Sequence, residues 1–300
     1  MKTIYSIILT VILSIGFLTA QTAGTTGVDG SGNTYPWVKI GNQYWTAENL
    51  RTAKFLNGED IATGFENADW KDLYDKETMT GQAAYCIYPG AIQEDGYLYN
   101  WMAAVDERGI CPEGWLVPTD NDFKILEMFL GMTQEKVDGE AWRHTDREAR
   151  YLKSPDRSFG ETAGSYGFNA VPAGHREKEK GNFEKYGEDA YFMTVTTHDP
   201  EDTNFKHQAS RRLLRNSYKS IHRSGILKSA GMSIRCVSDD PTASGIANTH
   251  ATKTIKNVII YSITGAKVES NLENLKDGIY IQKINYTDGS IQNTKILIRK

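Results

Sequence analysis

Apolar and polar positions along this chain fall into three regimes. Residues 4–18 are almost continuously apolar, follow a single charge at Lys2, and end in the small pair Thr19-Ala20. That order is the layout of an export signal cut after Ala20, and the run is short of the roughly 20 residues that span a bilayer. From residue 33 onward the apolar positions come in short β-rich runs. Residues 35–40 and 43–45 flank the turn pair Gly41-Asn42, which predicts a hairpin. One helix is clearly announced: Thr119 sits at its N-cap position with Asp122 three residues on, a capping box with Asp in place of Glu. Phe123, Leu126, Phe129 and Leu130 then recur at helical spacing, and Gly131 ends the run. A second short helix is expected over 147–154, stopped by Pro155, and strands over 191–196 and 233–237. In the third regime, strands at 258–261, 279–281 and 295–298 alternate with Thr264-Gly265 and Asp288-Gly289 turns, the pattern of a small all-β sandwich.

This divides the chain into a signal peptide (1–20), a flexible Thr/Gly/Ser leader (21–32), a mixed α+β body (33–238), a linker (239–249) and a β tail (250–300). The body is expected to be irregular α+β rather than a series of βαβ units.

Charge sharpens the picture. The whole chain carries a net charge of −4, whereas residues 21–241 hold 25 basic against 34 acidic residues, a net of −9. An acidic body argues against general nucleic-acid binding, which depends on neutralising phosphates. Yet 203–238 contains Lys206, Arg211, Arg212, Arg215, Lys219, Arg223, Lys228 and Arg235 without one acid. That run reads either as a solvated face balancing acidic stretches or as a patch for anionic ligands, with Arg211, Arg212 and Arg215 at its centre. Trp70 and Trp142 lie among polar neighbours and are candidate platforms for a sugar or protein ligand. Asp199, Glu201, Asp202 and Asn204 crowd oxygen donors into one segment, either a solvated acidic loop or a calcium site; no other cofactor is indicated. Export permits a disulfide, and three cysteines (Cys86, Cys111, Cys236) leave one over, with spacing alone unable to choose the pair. The segments Gly-x-Ser-x-Gly, His-Glu-x-x-His and Gly-rich phosphate loops do not occur, so the expectation is a protein without catalysis.

Five ordered blocks carry a family resemblance: VKIGNQYWTAENL (38–50), GYLYNWMAAV (96–105), GICPEGWLVPTDNDFKIL (109–126), GFNAVPAGHRE (167–177) and GMSIRCV (231–237). Together they resemble the FISUMP (Fib_succ_major) domain of exported bacterial proteins, a family with no established activity. Leu116, Asp122-Phe123 and the 191–197 strand depart from its usual residues. The helix start and SIRCV ending also resemble the C-type-lectin-like and formylglycine-generating-enzyme fold. The resemblance implies a body whose ends meet in one sheet around a loop-rich middle. It also implies a Cys111–Cys236 bridge and a buried free Cys86, which would leave no cysteine pair for formylglycine-type oxidation. The tail segments NVIIYSITGAKVES and LENLKDGIYIQKI, with the KILIRK ending, resemble the type A sorting domain of type IX secretion. That implies a Bacteroidetes-type cell and recognition of the tail by the secretion machinery. The expected product is a secreted or outer-surface binding protein for a glycan or protein ligand, with no membrane span after signal cleavage. The alternatives are a structural surface component and a degenerate enzyme.

Overall fold

A computed structural model of the chain describes residues 23–242, apart from 144–147, 158, 161, 163–165 and 200–201, and the tail segments 255–262, 267–268, 278–286 and 291–298. The expected signal peptide lies outside the described residues. The chain divides into two compact units, Met1–Asn248 and Thr249–Lys300.

In the first unit the hairpin forms where expected. Pro36–Ile40 pairs with Gln43–Thr46, with Ile40 opposite Gln43 across the turn at Gly41, whose φ of 64° suits glycine. The opposite edge of Gln43–Thr46 receives Val237–Ser238 from the far end of the unit, so its two ends do share one sheet. The fourth strand of that sheet corrects one expectation. Ala23–Thr25 lies within the anticipated flexible leader, yet it pairs antiparallel with Pro36–Ile40. It is held because the turn behind it is internally satisfied: buried Asp29 accepts from Ser31 N at 2.8 Å, Asn33 N at 2.9 Å and Tyr35 Oη at 2.5 Å.

The second sheet has six strands, in the order Phe183–Tyr186, Ala173–Arg176, Asp189–Thr197, Gln208–Arg215, His222–Leu227 and Ala141–Trp142. Helix Asp120–Phe129 packs on one face of it. Its capping box is formed by the Thr119 hydroxyl accepting from Asp122 N (3.1 Å) and the Asp122 carboxylate accepting from Thr119 N (2.7 Å). Phe123 and Leu126 from this helix join Trp45, Phe168, Phe192 and Leu214 in one apolar cluster. A second cluster on the other face includes Tyr191, Met193, Leu213 and Ile226, with Ala103 and Ala104 of the Trp101–Ala104 helix.

The residue blocks that carried the resemblance converge in space. Arg235, fully buried, donates Nε to Asn49 Oδ1 (2.7 Å), Nη1 to the carbonyls of Thr46 (2.9 Å) and Phe168, and Nη2 to the Asn169 carbonyl (2.9 Å). Its guanidinium also faces the rings of Phe168 and Phe192. One side chain therefore ties the hairpin block, the GFNAVP block and the closing block together. Next to it Cys236 is bonded to Cys111 across a sequence separation of 125, and Cys86 is free and buried. In the chain-entropy view, closing a loop of that length is worth about 5 kcal/mol. Only the end of the strand expected over 233–237 forms a ladder; Gly231, Met232 and Ser233 make single bridges to three different partners.

In the tail unit the described strands form one antiparallel sheet, Lys267–Val268, Ile255–Ser262, Gly278–Tyr286 and Ile291–Ile298. The anticipated sandwich needs a second sheet, and none is present among the described residues. The anticipated turns at Thr264-Gly265 and Asp288-Gly289 lie outside them.

Candidate functional site

The basic run is not one surface. In Gln208–Arg215 successive side chains leave on opposite faces of the sheet, so adjacent Arg211 and Arg212 part company. Arg212 goes to the helix side and is fully buried. Its Nε donates to Glu127 Oε1 at 2.6 Å and its Nη1 to Asp120 Oδ1 at 2.6 Å. Arg143 completes Glu127 with two bonds of 2.7 Å, and Arg223 donates to Asp120 at 2.9 and 3.0 Å. Burial alone would raise the Asp120 carboxyl, but Arg223 and Arg212 outweigh it and hold it well below the usual carboxylate range. Arg212 is therefore a core element and not a ligand-binding cation, because every charge near it is matched.

The other face is different. Leu213 sits at its centre, opposite Tyr191 on one neighbouring strand and His222 on the other. Arg211 and Arg215 flank it two residues away and so share its face. Arg215 lies opposite Asp189, whose two oxygens receive Arg215 Nε (2.9 and 3.2 Å) and Nη2 (2.9 Å) as well as Tyr191 Oη (3.0 Å). Asp189 is thus fully engaged. Arg211, opposite Met193 and Ser224, has its Cζ 5.0 Å from the Tyr191 ring centre, while its Nε and Nη1 are buried with no hydrogen-bond partner among the described residues. Burial lowers its pKa, with Tyr191 and Asp189 opposing the shift.

Further unpaired polar atoms surround Arg211. His222 Nδ1, Ser224 Oγ and His175 Nδ1 are all buried without a partner among the described residues. The His175 ring lies 4.2 Å from that of Tyr191. Both histidines are pushed down to about 4, first by burial and then by Arg211, with Arg143 and Arg215 adding to the effect at His222, so both are neutral at pH 7. Burial, aided by Asp189, pushes Tyr191 up to about 12. At the open end of this face the Trp142 ring stacks on Tyr218 at 4.0 Å with an interplanar angle of 18°, and Tyr218 is 41% exposed. Trp142 also meets the His222 ring edge-on at 4.9 Å, and the Arg215 guanidinium lies 5.6 Å from the Trp142 ring. At the opposite end the Lys228 ammonium sits 3.8 Å above the Trp101 ring, and burial lowers its pKa.

A family description, the Fibrobacter succinogenes major domain, matches residues 38–238. The chain belongs to this family. Proteins of this family are typically extracellular or surface-associated. No curated protein and no solved structure matches it. Among the described residues no helix is long and apolar enough to cross a membrane.

The fold takes the remaining sequence candidates elsewhere. Trp70 is not a platform: it is fully buried, donates Nε1 to the Ser229 carbonyl at 2.8 Å, and lies under the Arg176 guanidinium. Its polar sequence neighbours hid a core role, because a single Trp in a short helix can turn inward while its neighbours face water. Among its described residues the acidic segment gathers no ligand cluster. Asp202 Oδ1 is turned onto its own loop, accepting from Asn204 N at 2.8 Å and Nδ2 at 3.0 Å, and no group of three metal-ligating side chains converges among the described residues. Asp199 lies at the start of this turn, and Glu201 lies outside the described residues. Cys86 is a buried thiol that burial pushes up to about 12, leaving it unreactive. The structure therefore brings together Arg211, Arg215 and Trp142 and separates Arg212 and Trp70 from them. Sequence reading missed Asp189, His175, Tyr191, Tyr218, His222 and Ser224. Alternation along the 208–215 strand was a usable signal, but their cross-strand pairing was not readable.

Proposed function

We propose that this domain is a non-enzymatic recognition module acting at the cell surface or in the secreted space, and that the open end of the Leu213 face, at Trp142 and Tyr218, holds its ligand, a glycan or a protein segment. The observation that carries this reading is Arg211, a half-buried cation with two unpaired donors, on the sheet face that ends in the Trp142–Tyr218 stack, where Arg215 lies against both rings. Folding keeps buried polar groups paired wherever it can, so a costly unpaired cluster next to an aromatic platform points to a partner from outside. In the same reading the N-terminal apolar segment exports the chain, and the tail addresses it to type IX secretion, which the strand and turn pattern of the tail supports.

The non-enzymatic reading is supported by the nearest approach to a catalytic triad. His198 Nδ1 lies 3.2 Å from Ser210 Oγ, and Glu140 Oε1 lies 3.3 Å from His198 Nε2. Ser210, however, is buried in a strand paired on both sides, on the helix-covered face, where no substrate carbonyl reaches it. The reading is tested on a glycan array with the full chain and its Arg211→Met variant. Binding that vanishes in the folded variant is the expected result. Binding that survives unchanged removes the Leu213 face from recognition, and silence across glycans leaves protein adhesion or a structural surface role.

A further inference from the structure

The Trp142–Tyr218 platform and the polar layer beneath it meet at one residue, His222. Its ring supports Trp142 edge-on at 4.9 Å, and Trp142 stands opposite it in register on the outermost strand of the sheet. Behind this contact His222 Nδ1, His175 Nδ1 and two nitrogens of Arg211 are buried without hydrogen-bond partners among the described residues. Apolar packing closes the layer, through Leu213, Ile226, Ala103 and Ala104. Such a layer tolerates a neutral imidazole, which has no charge to desolvate. The same ring with a second proton is a buried cation.

The surrounding charges decide what that proton meets. His222 faces Arg211, Arg143 and Arg215, and all three disfavour it. Arg143 and Arg215 are matched by Glu127 and Asp189, whereas Arg211 has no ion pair among the described residues. Arg223, next to His222 in sequence, is bound to Asp120 on the helix side, and Lys219 in the preceding loop is exposed. At His175, Glu177, Asp189 and the Glu184 backbone favour the proton, but burial and Arg211 outweigh them. The Trp101–Ala104 helix over the layer contributes no titratable side chain, and Lys228, above Trp101 at its far end, is one more cation.

We infer that the platform is acid-gated: proton uptake by His222 and His175 drives apart the layer beneath Trp142 and Tyr218, so the stack holds at neutral pH and parts in mild acid. This regulation rests on the reading of the platform as the binding surface, and its consequence there is release of the bound segment or glycan in acid. Both rings take a proton at about 4 in the folded chain, against an ordinary 6.5. The opened or unfolded chain therefore binds more protons, and the folded form is progressively disfavoured as pH falls from about 6.5 to about 4. Between pH 6 and pH 5 the folding constant drops about 7-fold for each histidine and about 50-fold for both.

All six tryptophans lie between Trp37 and Trp142, so their fluorescence follows urea unfolding of the first unit within the full chain. Folding constants are measured at pH 7, 6 and 5 for the native chain, His222→Phe, His175→Phe and the double variant, phenylalanine preserving both ring contacts. From pH 6 to pH 5 the native chain should lose about 50-fold more than the double variant, and each single variant should recover about 7-fold. Equal losses in the native chain and the double variant overturn the inference. Arg211→Met removes the cation that faces both rings and should reduce the loss without altering either histidine; a loss as large as the native one also overturns it. Fluorine NMR of the chain labelled with 5-fluorotryptophan reads the platform itself. The Trp142 signal, identified by its absence in Trp142→Phe, should move between pH 7 and pH 4.5 in the native chain and stay fixed in His222→Phe. A native signal that stays fixed overturns the gating even where the folding constant falls. Neither measurement uses a ligand, so failure here leaves recognition at the platform intact, and silence on the array leaves the gating intact.

Discussion

Replacing Arg211 by methionine should stabilise the protein. In the native structure Arg211 buries Nε and Nη1 without partners among the described residues, and an unsatisfied buried donor costs about 1–3 kcal/mol. Methionine retains the aliphatic stem that packs along the sheet and introduces no polar atom. Against this gain stands the contact between the guanidinium and the Tyr191 ring at 5.0 Å, worth about 0.5–2 kcal/mol. Summed over the two donors, about 2–6 kcal/mol, and less the lost ring contact, the net expectation is a gain of about 0–5 kcal/mol, each kcal/mol equivalent in a body of this size to a rise in Tm of about 2–4 °C. The control is the next residue. Arg212→Met leaves the buried carboxylates of Glu127 and Asp120 short of a cation and should lose about 3–5 kcal/mol. Differential scanning calorimetry of the three proteins at pH 7, with the disulfide intact, measures both changes. A loss above about 1 kcal/mol in Arg211→Met would show that Arg211 holds the fold together. The argument that it is kept for a ligand would then fail.

Cys111→Ser with Cys236→Ser should cost up to about 5 kcal/mol, seen as a lowered urea midpoint; an unchanged midpoint refutes the loop-entropy argument. Thiol titration should find no reactive group in the native chain and one, Cys86, after unfolding without reductant. The folded Asp120 carboxyl has a pKa below its unfolded value of about 4. Its contribution is therefore complete above that value and is lost as pH falls through the folded pKa. Asp120→Asn should lower stability at pH 7 and flatten the acid limb of a stability–pH curve; an unchanged limb assigns acid sensitivity elsewhere. Millimolar calcium should leave Tm unmoved, since Asp202 bonds within its own turn; a rise of several degrees restores the metal site.

Much of the architecture was legible because it is local. The Gly41 hairpin and the Thr119 capping box are settled by residues within a few positions of each other. The closing of the first sheet by Val237–Ser238 and the Cys111–Cys236 bond followed from the family resemblance, since nothing in local spacing selects them. Legibility failed where a residue's role depends on a neighbour far along the chain. Trp70 sat among charges in sequence and in the core in space, and the leader gained a strand because Asp29 closes its own turn.

The basic run shows the division most plainly. The sequence by itself determined that eight cations lie between Lys206 and Arg235 with no acid among them, but not that residues 208–215 form a strand whose period parts adjacent arginines. It could not determine which face would meet carboxylates. That was decided by where the Asp120–Phe129 helix docks: it brings Asp120 and Glu127 against Arg212, and it leaves Arg211 on the far side beside Tyr191 and two neutral histidines. Charge is a property of each residue. Whether that charge is neutralised, and so whether it belongs to the core or awaits a ligand, depends on distances that only the folded chain sets.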